Sequence, residues 1–271
     1  MEGNISLLEA QGIMLNILKE VDRICKKNNI KYWLDSGSLL GGIRHRGFIP
    51  WDDDIDIAML REDFEKFLRI AENELNENYF LQTPETDQEY SWDSIPAKVR
   101  DKNSIFIEKW EKIEKKYNGI YIDIFPIDKF SRNKFIRTLE MIPKVLFELK
   151  TTEIWTEEKN LKNFIKKNII MNFNFLIPKK ILILVNDFLI KKSKKKKEYV
   201  YSYGYYLTWR YIFNPKDIFP LKKLRFEKLL FYCPNNSQNI LTTLYKDFMK
   251  LPSENKRYTH AKLIKRKEKI E

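Results

Sequence analysis

Between Trp51 and Ala58 the chain reads Trp-Asp-Asp-Asp-Ile-Asp-Ile-Ala, placing carboxylates at Asp52, Asp53, Asp54 and Asp56 with isoleucines at alternate positions behind them. Residues two apart in a strand leave the same face, so a strand here sends Asp54 and Asp56 to one side and Ile55 and Ile57 into a core. Like charges this close repel one another. A chain tolerates that best where a divalent cation neutralises them, and hard carboxylate oxygens suit Mg2+ or Mn2+. The plainer alternative is a helix cap or a solvated acidic turn, against which the core-directed isoleucines speak.

A third carboxylate stands far along the chain. Residues 119–128 read Gly-Ile-Tyr-Ile-Asp-Ile-Phe-Pro-Ile-Asp, again a strand pattern, with Ile120, Ile122 and Ile124 on one face and Tyr121 and Asp123 on the other. If the two strands are neighbours, Asp123 completes a cluster for one or two metals. Upstream, Tyr32-Trp33-Leu34 reads as a short strand, and Asp35-Ser36-Gly37-Ser38 ends it and opens a short helix. Backbone N–H groups near Gly37 and the Ser38 hydroxyl are placed to cradle phosphate oxygens at that helix N-terminus.

The remaining pattern supports a globular α/β chain. Ser6 and Glu9 form a capping box before an apolar stripe that runs to Lys26-Lys27-Asn28-Asn29, and residues 61–77 resume helical spacing with Glu62 and Asp63 in the first turn. Residues 79–107 read as weaker strands and turns, 131–190 as Lys-rich helix broken at Pro178, 225–234 as a strand and 238–245 as a helix. The lysine run at 191–197 reads as a solvated loop or a membrane-facing patch. This divides the chain into a catalytic core over 1–130, a helical Lys-rich insertion over 131–200 and a segment over 201–271 that completes the core. Residues 1–128 carry net charge −8 and the rest +20, which suggests an acidic site in the first half and an anionic surface as partner of the second. Two cysteines, Cys25 and Cys233, are too few for a disulfide framework. No window reaches the about 18 to 20 apolar residues of a membrane span, and the first residues lack a signal-peptide pattern. These features predict a cytoplasmic protein, peripheral at most to the inner face of the membrane.

The order Gly-Ser, a spacer of fifteen residues, Asp-x-Asp on the next strand and a distant strand Asp resembles the nucleotidyltransferase superfamily. A narrower resemblance follows. The stretch Tyr32-Trp-Leu-Asp-Ser-Gly-Ser-Leu-Leu-Gly-Gly-Ile-Arg-His-Arg-Gly-Phe-Ile-Pro-Trp-Asp-Asp-Asp-Ile-Asp-Ile resembles the signature of the LicD family. Support comes from Ala97-Lys-Val-Arg-Asp-Lys-Asn103, from Ile122-Asp-Ile-Phe-Pro-Ile-Asp128 and from Leu244-Tyr-Lys-Asp-Phe-Met-Lys-Leu-Pro252. One departure is Lys246, which stands where the family's final motif carries Gly.

The resemblance implies a small mixed sheet of nucleotidyltransferase type flanked by helices. It also implies metal-dependent transfer of phosphocholine from CDP-choline to a sugar of a cell-surface glycan or lipid-linked glycan, or of ribitol, glycerol or ethanolamine phosphate from another CDP-alcohol. In that chemistry Asp54, Asp56 and Asp123 hold Mg2+ or Mn2+, and Asp52, Asp53 or a ligand itself accepts the hydroxyl proton. Arg44, His45, Lys98 and Arg100 would contact phosphate, or else pair with the acidic cluster, while Trp51 would face a choline ammonium or pack in the core. Three other classes compete. A nucleic-acid binder using the basic half leaves the aspartates without a part, and no nucleic-acid partner is expected. A glycosyltransferase would not need the Gly-Ser opening and the third aspartate, and an inactive scaffold would not keep the full carboxylate set.

Overall fold

The computed structural model describes residues 3–90, 97–109, 116–151, 178–207 and 209–267. The chain divides into two compact units, one of Met1–Tyr90, Ile95–Pro126 and Phe213–Glu271, the other of Ser91–Ser94 and Ile127–Ile212.

In the first unit the Ser6 hydroxyl accepts the Glu9 amide at 3.2 Å while Glu9 Oε2 accepts the Ser6 amide at 2.8 Å. This reciprocal cap starts helix α1 (Leu7–Lys27), whose Ala10, Met14, Ile17, Leu18, Val21, Ile24 and Cys25 make one buried stripe. Each large apolar side chain withdrawn there contributes about 1.5 to 3 kcal/mol. Strand β1 (Trp33–Leu34) leads into helix α2 (Ser36–His45), ten residues where one or two turns were expected. Gly41 permits that length. A Cβ at Gly41 would strike the carbonyl oxygen of Gly47, where the chain doubles back under the helix.

Strand β2 (Asp56–Leu60) pairs antiparallel with β1, Trp33 opposite Ala58, and helix α3 (Arg61–Glu74) follows it directly. The sequence pattern placed Asp54 and Ile55 inside this strand; it begins two residues later, so Asp54 lies in the approach to it. Strands β3 (Tyr79–Gln82), β4 (Ala97–Asp101), β5 (Ser104–Glu108) and β6 (Tyr121–Ser131) come next. The mixed sheet runs β1-β2-β6-β4-β3. Flanked on both sides, β6 is buried continuously from Tyr121 to Asp128.

After a short helix α6 (Pro215–Ile218) the sequence pattern at 225–234 suggested one strand, but it contributes to a hairpin of β8 (Lys222–Phe226) and β9 (Leu229–Cys233). The turn is made by Glu227 at φ 55° with Lys228, residues that carry no turn signal. Glu227 compensates by long-range bonds: its amide donates to Arg46 O at 2.7 Å and its Oε1 accepts the Phe48 amide at 3.1 Å. Helix α7 (Ser237–Tyr245) and strand β10 (Ala261–Arg266), which pairs with β5, complete the unit.

In the second unit the last residues of β6 pair antiparallel with β7 (Tyr199–Tyr203). Helices α4 (Lys134–Thr151) and α5 (Lys179–Ser193) pack on one another and on a cluster of Phe130, Phe147, Leu182, Ile190, Val200, Tyr205 and Tyr206. Lys144 is buried there and donates to the carbonyls of Tyr203 at 2.8 Å and Trp209 at 2.5 Å. The stretch 152–177, read above as helical, lies outside the described residues. Among the described residues no helix is long and apolar enough to cross a membrane.

Lys246, the departure from the expected Gly, closes α7 with φ 58° and ψ −107°. A side chain in that region is strained and glycine is not. Lys246→Gly is therefore expected to raise stability by about 1 kcal/mol, read from the midpoint of a urea melt; a lower midpoint would contradict the assignment of strain.

Candidate active site

Distant elements converge on the loop that carries the aspartates. From α1, Gln11 Nε2 donates to Asp52 O at 2.9 Å, and the Asp52 amide donates to Ile49 O at 2.9 Å. From β6, the Asp123 amide donates to Ile55 O at 2.7 Å. Just before β10, His260 Nδ1 lies 3.3 Å from Asp53 Oδ1 and 3.7 Å from Asp54 Oδ2, and the Ala261 amide donates to Asp53 Oδ2 at 2.7 Å. Apart from the local Asp52–Ile49 bond, the loop is thereby fixed by side chains and backbone that the local sequence does not contain.

These bonds bring Asp54, Asp56 and Asp123 together, one oxygen of each lying within 4.8 Å of the others. Asp56 and Asp123 are buried and Asp54 partly so. Burial, reinforced by Asp123, pushes the Asp54 carboxyl up to about 7, and burial with the charges of Asp54, Asp123, Asp52 and Asp35 holds Asp56 well above the carboxylate range. Asp123 is raised by burial although Lys98 opposes it. Asp52 is pushed up to about 8 by burial, then by Asp54 and Asp53. Asp53 goes the other way: burial would raise it, but the bonds from His260 and Ala261 prevail and lower it. The hydrogen bond with Asp53 lifts His260 to about 9, so the imidazole is a cation at neutral pH.

Three hard oxygen donors, each disfavoured as an anion without a counter-charge, suit a divalent cation such as Mg2+ or Mn2+ in donor type. The backbone approaches closely as well. A Cβ at Gly37 would lie 3.0 Å from Asp52 Oδ2 and 3.7 Å from Asp56 Oδ2.

The other residues singled out from the sequence lie as follows. The Gly37 amide, in the first turn of α2, donates to Asp56 Oδ2 at 3.3 Å, and the Ser38 hydroxyl accepts the Asp56 amide at 2.8 Å. Both therefore touch Asp56, where the helix dipole favours a negative charge. Lys98 stands opposite Asp123 in the β4–β6 register, its Nζ 2.8 Å from Asp123 Oδ1 and 3.5 Å from the Tyr121 ring centre. Arg100 is buried and donates to Gln82 Oε1 at 2.5 Å and Gly119 O at 2.7 Å, which makes it a brace between elements. Arg44 donates to His45 Nε2 at 2.9 Å and to Phe248 O at 2.9 Å; burial and the Arg44 charge lower the His45 pKa. Trp51 meets His45 edge to face at 6.3 Å and carries the Arg257 guanidinium 5.1 Å from its ring centre.

Gln11, Tyr245, Arg257 and His260 escaped the sequence reading. The charges of Asp56, Asp35, Asp52 and Asp54, after desolvation, push the Tyr245 phenol up, and Asp52 and Arg257 both act on Arg44. The available signals were slight: His260 is one of two histidines, and Tyr245 lies inside a motif already noted.

Comparison with known proteins yields two kinds of match. A family model for the LicD/FKTN/FKRP nucleotidyltransferase domain matches residues 29–180. The chain is 29% identical to the lipopolysaccharide cholinephosphotransferase LicD of Haemophilus influenzae over 94% of its own length and 96% of that protein's. A shorter likeness, 42% over 53 residues, joins it to the ribitol 5-phosphate transferase FKRP of Homo sapiens, covering 18% of this chain and 11% of that one.

An unneutralised carboxylate cluster costs folding free energy, which a bound cation recovers. Asp56→Asn is expected to raise the melting temperature in chelator and to abolish the further rise that Mg2+ or Mn2+ gives the unaltered chain. A variant that still gains stability from metal like its parent would remove Asp56 from the ligand set.

Proposed function

The chain belongs to the LicD/FKTN/FKRP nucleotidyltransferase family, and from that premise we propose that it moves phosphocholine from CDP-choline to a sugar hydroxyl of a cell-surface glycan or glycolipid. It is a LicD-type enzyme, a transferase of phospho-alcohol groups. The likeness to a cholinephosphotransferase over nearly the whole of both chains supports choline as the alcohol. The observation that carries the reading is the convergence of Asp54, Asp56 and Asp123 beside the N-terminus of α2.

In the proposed reaction the acceptor oxygen bonds to the phosphorus that bears choline, the bond from that phosphorus to the bridging oxygen breaks, and CMP leaves with the electron pair. The hydroxyl proton passes to a carboxylate. Mg2+ or Mn2+ held by Asp54, Asp56 and Asp123 would offset the charge of the donor diphosphate. Lys98 fixes the orientation of Asp123 through their 2.8 Å contact. Arg44, on which the charges of Asp52 and Arg257 act, and Arg257, which lies over Trp51, are the cations assigned to the donor phosphates. With Asp53 engaged by His260 and Ala261, and three aspartates assigned to metal, Asp52 is the carboxylate assigned to receive the proton, in its ionised form, which a cation on Asp54 would favour by offsetting one of the charges that raise it.

Calorimetric titration with CDP-choline, CDP-ribitol, CDP-glycerol and a UDP-sugar, with and without Mg2+, tests the reading. Metal-dependent preference for CDP-choline is expected. Preference for CDP-ribitol would keep the mechanism and move the chain toward the FKRP-like activity, and binding of the UDP-sugar alone would overturn both.

The part given to Asp52 is tested separately. Asp52→Asn is expected to lower kcat about 10²- to 10⁴-fold while leaving CDP-choline affinity nearly unchanged; an unchanged kcat would return the proton to another group.

A further inference from the structure

The second unit presents an apolar surface that its own core does not use. Helix α4 turns Lys144 and Phe147 inward, and its opposite side carries Phe135, Leu139 and Ile142, which are 73%, 49% and 46% exposed. Helix α5 buries Leu182, Asn186 and Ile190 and turns Ile181, Leu184 and Phe188 outward, with Leu184 68% and Phe188 63% exposed. Both triplets follow helical spacing, so each forms a single stripe. Because the helices pack on one another and rest on the same cluster, the stripes leave the unit on the side away from that cluster.

The exposed charges of α5 are all lysines, and beyond it the exposed acid Glu198 stands against two exposed lysines. Lys180, Lys191 and Lys192 are exposed beside it, and Lys195 and Lys197 are exposed just beyond the helix. The one acid of α5, Asp187, is turned to Tyr206, whose hydroxyl donates to Asp187 Oδ1 at 2.6 Å. Lys196 is paired with Glu140 at 2.9 Å and takes no part.

A solvated helix face carries both signs of charge and few large apolar groups, and a protein interface is depleted in lysine. A nucleic-acid surface has no use for stripes of Leu, Ile and Phe. Apolar side chains with a surplus of lysines beside them match the headgroup layer of an anionic bilayer, where the apolar groups enter the acyl boundary and the lysine stems reach back to phosphates. We propose that the outer faces of α4 and α5 dock the protein on an anionic membrane surface, lying on it rather than crossing it. The proposal does not depend on which phospho-alcohol is transferred.

Flotation of the full chain with vesicles of phosphatidylcholine, alone or mixed with phosphatidylglycerol, tests it. Binding to the anionic vesicles only, weakened by salt, is expected. Leu184→Ser combined with Phe188→Ser should abolish flotation, and neutralising Lys191 or Lys192 with Gln should weaken it about fivefold each. These positions are exposed, so the melting temperature and calorimetric CDP-choline binding should persist, which separates failure of docking from failure of the catalytic reading. Equal binding to both vesicle types, or binding to neither, overturns the proposal. So does a dimer in light scattering that the double serine variant converts to monomer, since the face would then belong to a second copy of the chain.

Discussion

Carboxylates forced together set the terms for the structure around them. Asp54, Asp56 and Asp123 approach within 4.8 Å, and their burial opposes ionisation. A loop with this content would open toward water if left to itself. The cluster is held by α1 through Gln11 on Asp52, by β4 through Lys98 on Asp123, and by His260 and the first residue of β10, Ala261, on Asp53. Helix α2 adds the Gly37 amide and the Ser38 hydroxyl at Asp56. Strain that local preference would not choose is here over-determined by the surroundings, as is common where a fold performs chemistry.

The electrical division of the chain by sequence does not coincide with its two units, because the basic segment Phe213–Glu271 belongs to the first. Net charge is −8 over the first 128 residues and +20 over the remainder. In the first unit, cations near the aspartates are few and placed, each with a named partner. In the second, lysines lie on helix faces and in the run that follows α5, where most meet solvent.

The features legible in the sequence have short-range causes. The capping box at Ser6 and Glu9, the strand around Asp123 and the glycine-serine opening of α2 depend on residues within a turn or a strand of one another and stand where their patterns put them, while the strand at Asp56 starts two residues later than its alternation suggested. The features that escaped have long-range causes. The Glu227 turn is set by bonds to Arg46 and Phe48 across the unit, so no local turn residue was needed. Strand β10, Ala-Lys-Leu-Ile-Lys-Arg, alternates weakly and takes its pairing from β5, more than 150 positions earlier in the chain. His260 acquires its charge from Asp53, a residue its own neighbourhood does not reveal. Arg100 shows the reverse, a cation conspicuous in the sequence that serves the frame through Gln82 and Gly119.

The clamp on Asp53 also orders events in time. Its backbone donor is 208 positions away along the chain, a separation whose closure must wait for nearly all the intervening structure. During synthesis the strands through β6 emerge and can pair while the acidic loop still lacks its latest partner. Before residues 260 and 261 are in place the mixed sheet already has all its strands in the chain, whereas Asp53 still lacks the contacts from His260 and Ala261.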